Sequence, residues 1–188
     1  MLRALPSPPI AFSMMNIKRV IEELNQLELD GVIETYAIGG AVAAQAYTEP
    51  TSTMDVDAFV ILKHPNPGQI IQMGPIYDHL MRRGATVDGS HLVIGGWPLQ
   101  VLLPGDSLQE EAVASARKMP MDGQSAKVMA PEHLAAIALK LGRPKDKLRV
   151  TELIKSKAFD QQFFDALVVR HGLTQAWATF RIQFLDQS

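Results

Sequence analysis

The sequence predicts an α/β (α+β) fold, a mixed β-sheet with flanking helices followed by a C-terminal helical segment. Three observations carry this. Short strand-like apolar runs at residues 32–38, 54–62, 91–94 and 99–103 alternate with helical patterns through the first two thirds of the chain. From Pro131 onward only helical periodicity remains. An apolar fraction of 47% in 188 residues is enough for one well-formed core. The expected organisation is a flexible leader over residues 1–15, an α/β domain over 16–130 and a helical segment over 131–188.

Each element has a local reason. Pro6, Pro8 and Pro9 break the opening stretch, so neither a helix nor a signal peptide is expected there. Ile17, Val20, Ile21, Leu24 and Leu27 follow helical spacing, and Asp30-Gly31 ends that helix. Residues 32–38 form the first strand and 41–47 a helix. Glu49, Pro50 and the Thr/Ser run after them make a loop, and 54–62 is the second strand. The turn Pro65-Asn66-Pro67-Gly68 leads to a helix ending near Arg83, with strain expected at Gly74-Pro75. Strands follow at Thr86-Val87, 91–94 and 99–103, with Asp88-Gly89 and Gly95-Gly96 as hairpin turns. Ser107 is the expected cap of a helix reaching Arg117, and 127–129 a short strand. Beyond Pro131, an apolar stripe of Leu134, Ile137, Ala138 and Leu141 stops at Gly142. A second helix starts at Pro144, a third carries Phe163, Phe164, Leu167 and Val168, and a fourth is capped by Thr174. The aromatic residues of these helices are expected to pack a core.

Composition excludes several functions. A net charge of −2 supplies no global basic field for nucleic acid. There are no cysteines, hence no disulfides or thiolate metal site. No apolar run reaches transmembrane length, and a cytoplasmic location is expected. The five histidines have no ligand spacing that suits zinc. His91 opens a strand and is read as a surface residue near the site. Walker, Gly-x-Gly-x-x-Gly and Gly-x-Ser-x-Gly patterns are absent.

The chemistry concentrates in two stretches. Tyr36-Ala37-Ile38-Gly39-Gly40 reads as a strand ending in two glycines ahead of a helix, a turn whose free N–H groups suit a phosphate. Asp55 and Asp57 stand two apart on the second strand and so project from one face, while Val56, Ala58 and Val60 point into the core. A divalent cation relieves the repulsion between such carboxylates, and hard oxygen ligands suit Mg²⁺ or Mn²⁺. A phosphate element beside a metal element indicates phosphoryl or nucleotidyl transfer.

The order strand, Gly-Gly, helix, strand with Asp-x-Asp resembles the nucleotidyltransferase superfamily, the fold of DNA polymerase beta and of many small bacterial nucleotidyltransferases. Ile38-Gly39-Gly40 and Asp55-Val56-Asp57 match its motif, across a slightly long spacer at residues 41–54. Thr53 fits a threonine common before the first Asp, whereas Thr51 stands where many relatives have Arg. A second, weaker resemblance, to small nucleotidyltransferases of the abortive-infection and toxin–antitoxin type, covers Pro131-Glu132-His133-Leu134 and residues 139–146. It implies that Lys140 faces the nucleotide phosphates with Arg143 and Lys145 nearby, and that Asp146 orders the helix junction.

One departure stands out. Active members carry a third carboxylate on a strand like Pro98-Leu99-Gln100-Val101-Leu102-Leu103, and here the polar residue is Gln100. An amide brings no charge to a metal and is a poor base. Asp88 or Asp106 substitutes only in a different strand register.

The resemblance therefore implies transfer of a nucleoside monophosphate from a nucleoside triphosphate to an acceptor hydroxyl. Asp55 and Asp57 are the catalytic and metal ligands, with Gly39, Gly40, Thr53, Gln100, Lys140 and Arg143 around the nucleotide. The acceptor is a small molecule, a protein or a tRNA end, and an antitoxin or other protein is a potential partner. The alternative is a catalytically impaired relative that binds a nucleotide or partner in the same cleft.

Overall fold

The computed structural model describes residues 17–49, 53–63 and 73–186. The leader, Thr51, His64 and the 65–68 turn lie outside them. The chain runs α1 (Lys18–Leu29), β1 (Ile33–Ile38), α2 (Gly40–Ala44), β2 (Val56–Leu62), α3 (Gly74–Arg82), β3 (Thr86–Asp88), β4 (His91–Ile94) and β5 (Trp97–Leu102). It continues with α4 (Ser107–Ala114), β6 (Arg117–Met121), β7 (Gln124–Val128), α5 (Pro131–Leu141), α6 (Pro144–Ile154), α7 (Gln161–Arg170) and α8 (Thr174–Phe184). One seven-stranded sheet has the order β3-β4-β5-β2-β1-β7-β6. Its β2–β5 and β1–β7 pairs are parallel and the others antiparallel. This is the mixed α/β architecture the patterning predicts.

Alternation sets the layers. In β2, Val56, Ala58 and Val60 are buried while Asp57 and Phe59 are half-buried, and β5 repeats the pattern with Leu99 and Val101 in and Gln100 out. Helix α1 buries Val20, Ile21, Leu24 and Leu27, the stripe its spacing predicts.

Several expectations need correction. The helix after the glycines spans only Gly40–Ala44, five residues, rather than 41–47. Helix α3 begins at Gly74, so Pro75 occupies its first turn, where no hydrogen bond is lost, and does not strain its interior. Asp106, not Ser107, caps α4, its carboxylate accepting from Gln109 N at 2.9 Å, and the helix ends at Ala114. Arg117 instead opens β6. That strand turns back into β7 at Asp122 and Gly123, both with positive φ (49° and 76°), the conformation an Asp-Gly hairpin turn requires. Thr174 does not cap α8; Leu173 holds that position without a side-chain bond.

Helix α5 is no peripheral appendage. Pro131, Glu132, His133, Leu134, Ala135, Ala136, Ala138 and Leu139 are all buried, while Leu141, expected on its apolar stripe, is half exposed. A helix buried on nearly every side is a core element, and α5 packs against α2, α4, α6, α7 and α8. Buried Glu132 accepts from Asp160 N at 2.8 Å and pairs with Arg117 at 3.3 Å, fixing α7 and β6 to it. Outside it, Phe164, Trp177, Phe180 and Phe184 form an aromatic ladder with centroids 5.0, 5.8 and 4.9 Å apart.

Candidate functional site

The end of β1 is held from both sides. Ile38 pairs with Ala58 of β2, and its carbonyl accepts from Met129 N at 3.0 Å beyond β7. Gly39 N donates to Asp57 O at 2.8 Å. The next residue, Gly40, has φ +60°, and a Cβ there would stand 2.0 Å from Asp57 Oδ2. A Cβ on Gly39 would meet Phe59 at 2.9 Å and Met129 Sδ at 3.3 Å. The glycine pair therefore exists because the Asp57 carboxylate and the Phe59 ring fill the space where side chains would be.

Asp57 sits in the middle of a polar row. β5 lies parallel to β2 with Gln100 directly opposite Asp57, both on the half-exposed face. Leu92 pairs with Leu99, so His91, one residue earlier on β4, lies beside Gln100. His91 Nε2 is 3.8 Å from Asp55 Oδ2. Asp55 lies just before β2 rather than within the strand, and the Thr53 hydroxyl donates to its carbonyl at 3.2 Å, which shapes the approach to the row. Burial pushes the Asp57 carboxyl above the usual carboxylate range, and the charge of Asp55 pushes it further. Asp88, opposite His91 on β3, ends the same row at the sheet edge, three strands from Asp57, and Asp106 caps α4.

Cations approach from α6 and its entry. Arg149, Lys145 and His91 each favour the charged form of Asp57, and Asp57 in turn raises the Arg143 guanidinium, after the larger effect of Asp146. Asp146 is fully buried, accepts from Arg143 Nη2 at 3.2 Å and from its Nε, and lies 3.8 Å from Arg149 Nη1. Lys140 is placed differently: its amine binds Asp106 at 2.8 Å and so ties α5 to the start of α4. The structure thus gathers Gly39, Gly40, Thr53, Asp55, Asp57 and Gln100, with Arg143 close by. Sequence reasoning missed Arg149, although the spacing 143, 146, 149 marks one helix face. It read His91 as a surface residue near the site, and the β4–β5 hairpin sets it in the row with its side chain still partly exposed.

No family model matches the sequence, and no curated protein matches it either. Solved structures do. An antigenic nucleotidyltransferase-like protein from Paracoccidioides brasiliensis superposes with a TM-score of 0.54 at 18% identity, covering 86% of this chain and 91% of that one. The fold is nucleotidyltransferase-like. The antibiotic-resistance factor ANT(2'')-Ia, in its solution structure, superposes with a TM-score of 0.51 at 12% identity, covering 92% and 98%. At such identities the nucleotidyltransferase-like likeness concerns the backbone. It extends over the helical C-terminal segment as well as the sheet, in keeping with the central position of α5.

Among the described residues, no three His, Asp or Glu side chains are arranged to hold a metal ion by themselves. The oxygen donors of Asp55, Asp57 and Gln100 nonetheless fit Mg²⁺ or Mn²⁺ when phosphate oxygens complete the coordination, the usual habit of Mg²⁺ at nucleotide sites. The like-charge pressure on Asp57 is what a divalent cation would remove. No helix among the described residues is long and apolar enough to cross a membrane.

Proposed function

We propose that this protein transfers a nucleoside monophosphate from a nucleoside triphosphate to an acceptor hydroxyl. The supporting observation is the Asp57 carboxylate seated against Gly40, under the like charge of Asp55 and the opposing charges of Arg149 and Lys145. Asp55 and Asp57 would hold Mg²⁺, which when bound supplies charge neutralisation and phosphate orientation. Gly40 keeps the turn free of any side chain that would displace Asp57. Arg143, Lys145 and Arg149 offset charge on the phosphates, as fixed cations do in phosphoryl transfer. In the reaction, the acceptor oxygen bonds to the α-phosphorus as the bond to the bridging oxygen breaks. Pyrophosphate leaves with the electron pair, and the acceptor proton passes to solvent.

The overall charge of −2 argues against a nucleic-acid acceptor and favours a small molecule or a protein. The antibiotic-resistance factor with a similar fold makes antibiotics a first class of acceptor to assay. A toxin whose antitoxin is a separate chain is the protein-acceptor form of the same reading. Gln100 opposite Asp57 favours a second reading, a nucleotide-binding protein without transfer, because an amide there is a poor base for the acceptor proton.

A thermal-shift screen of the four nucleoside triphosphates with and without Mg²⁺ tests binding. Nucleotide and metal together should stabilise more than either alone, by about 2.7 kcal/mol at a hundredfold excess over Kd. A flat melting temperature with all four at millimolar concentration overturns both readings. Pyrophosphate release in the presence of acceptor separates transfer from binding alone.

A further inference from the structure

We propose that the cavity between α5, α6 and α8 binds a small aromatic carboxylic acid, with Lys147 as the partner of its carboxylate. None of the lining residues belongs to the nucleotide site, and the inference does not depend on the transfer reading.

The cavity has a volume of about 390 Å³, within the range of about 300–1,000 Å³ of small-molecule sites. Its walls are mainly apolar: Leu139 of α5, Val150 of α6, and Ala176, Phe180 and Phe184 of α8. Leu139, Val150 and Phe180 are buried, whereas Phe184 is 44% exposed. A ring left that open at the edge of a cavity still has apolar area to remove from water. The Phe180 and Phe184 rings lie 4.9 Å apart at 34°, so one wall is aromatic and offers ring faces and edges to a flat ligand.

Lys147 supplies the charge. Among the described residues it is the one charged side chain of the lining, and its amine stands over the Phe184 ring, 5.4 Å from the centroid. Lys18, Lys127 and Lys140 each pair with a carboxylate, but no described carboxylate lies within ion-pair distance of Lys147. An ammonium group without an anion, set beside an apolar cavity, is complementary to a ligand with an anionic head and an apolar body. Gln175 and Gln183 add neutral amide donors. The aromatic wall favours a rigid ring system over an alkyl chain, which loses more conformational freedom on binding.

The test is calorimetric titration of the full chain with 2-naphthoate, with its uncharged analogue naphthalene-2-carboxamide and with decanoate. One naphthoate should bind per chain, and the carboxamide and decanoate should each bind more weakly. Lys147→Gln should weaken naphthoate roughly tenfold and leave the carboxamide unchanged. Ala176→Leu, which fills the cavity, should weaken both aromatic probes. No binding of naphthoate at millimolar concentration would overturn the inference. Equal affinities for acid and amide, or an unchanged naphthoate affinity in Lys147→Gln, would also overturn it. Decanoate binding as tightly as naphthoate would overturn the aromatic assignment. Displacement of naphthoate by a nucleoside triphosphate, with no effect of Lys147→Gln, would move the acid to the nucleotide cleft and overturn the assignment to this cavity. If Ala176→Leu does not fold, the comparison of acid with amide in the wild type and in Lys147→Gln decides.

Discussion

Gly40→Ala probes the contact on which the site is built. Two penalties follow from the geometry. The residue has φ +60°, and placing a side chain in that left-handed conformation costs about 1–2 kcal/mol. The new Cβ would also stand 2.0 Å from Asp57 Oδ2, so the carboxylate must rotate away, at about 1 kcal/mol for an off-rotamer side chain. The sum, about 2–3 kcal/mol, corresponds to a fall in melting temperature of roughly 5–10 °C for a chain of this length. Metal-dependent nucleotide binding should be lost as well, because the displaced group is the proposed ligand. The two penalties separate in a double-mutant cycle with Asp57→Ala. Removing the carboxylate relieves the overlap but not the backbone strain, so the cycle should show a coupling of about 1 kcal/mol. Urea unfolding of the four proteins measures it. Additive effects, with no coupling, would refute the close packing of Asp57 on Gly40, and an unchanged melting temperature in Gly40→Ala would refute the backbone conformation.

Other consequences are as direct. Asp55→Asn/Asp57→Asn should fold normally, be no less stable than the wild type without metal, and lose metal-dependent nucleotide binding; a collapse in metal-free stability would make the two carboxylates structural. Lys145→Ala should weaken triphosphate binding more than Lys140→Ala, because the Lys145 charge acts on Asp57 whereas the Lys140 amine is held by Asp106, and calorimetric titration of the two variants compares them directly. Buried His133 is held below its ordinary pKa by burial, with Glu111 and Glu132 opposing that shift and His171 adding to it. The unfolded chain then takes up a proton at that residue before the native state does. Its contribution to stability should therefore fall as pH drops below about 6.5, and His133→Leu should flatten that part of the pH–stability curve.

The site was legible where a local pattern fixed it. The Gly-Gly turn and the outward face of Asp57 follow from local pattern, and the alternation Leu99, Gln100, Val101 placed Gln100 on that same face, whereas Asp55, expected within the strand, lies just before it. What escaped depends on contacts distant in sequence. His91 reaches Asp55 because β4 lies two strands from β2, a neighbour relation that periodicity cannot reveal. Lys140 finds its partner Asp106 in another element, a pairing the chain alone did not show. Helix α5 looked amphipathic at four positions, yet small alanines and a paired Glu132 allow the remaining faces to be buried too. The β6–β7 hairpin did have a local signal, Asp122-Gly123, which the expected extension of α4 obscured.

The pairing of β1 bears on how the protein is made. The strand that ends in the glycine turn has β2 on one side, which follows closely in the chain, and β7 on the other, which does not emerge from the ribosome until residue 128 has been synthesised. The bond from Met129 to Ile38 then secures the turn, and α5 covers it from the next residues onward. Until then β1 has an open edge, and the carboxylates of the cleft have only half of their support. Contacts of such long sequence separation form slowly, and exposed strand edges are where nascent chains associate wrongly. The nascent protein thus carries its acidic site unfinished until β7 and α5 have been made, and the cations of α6 follow after both.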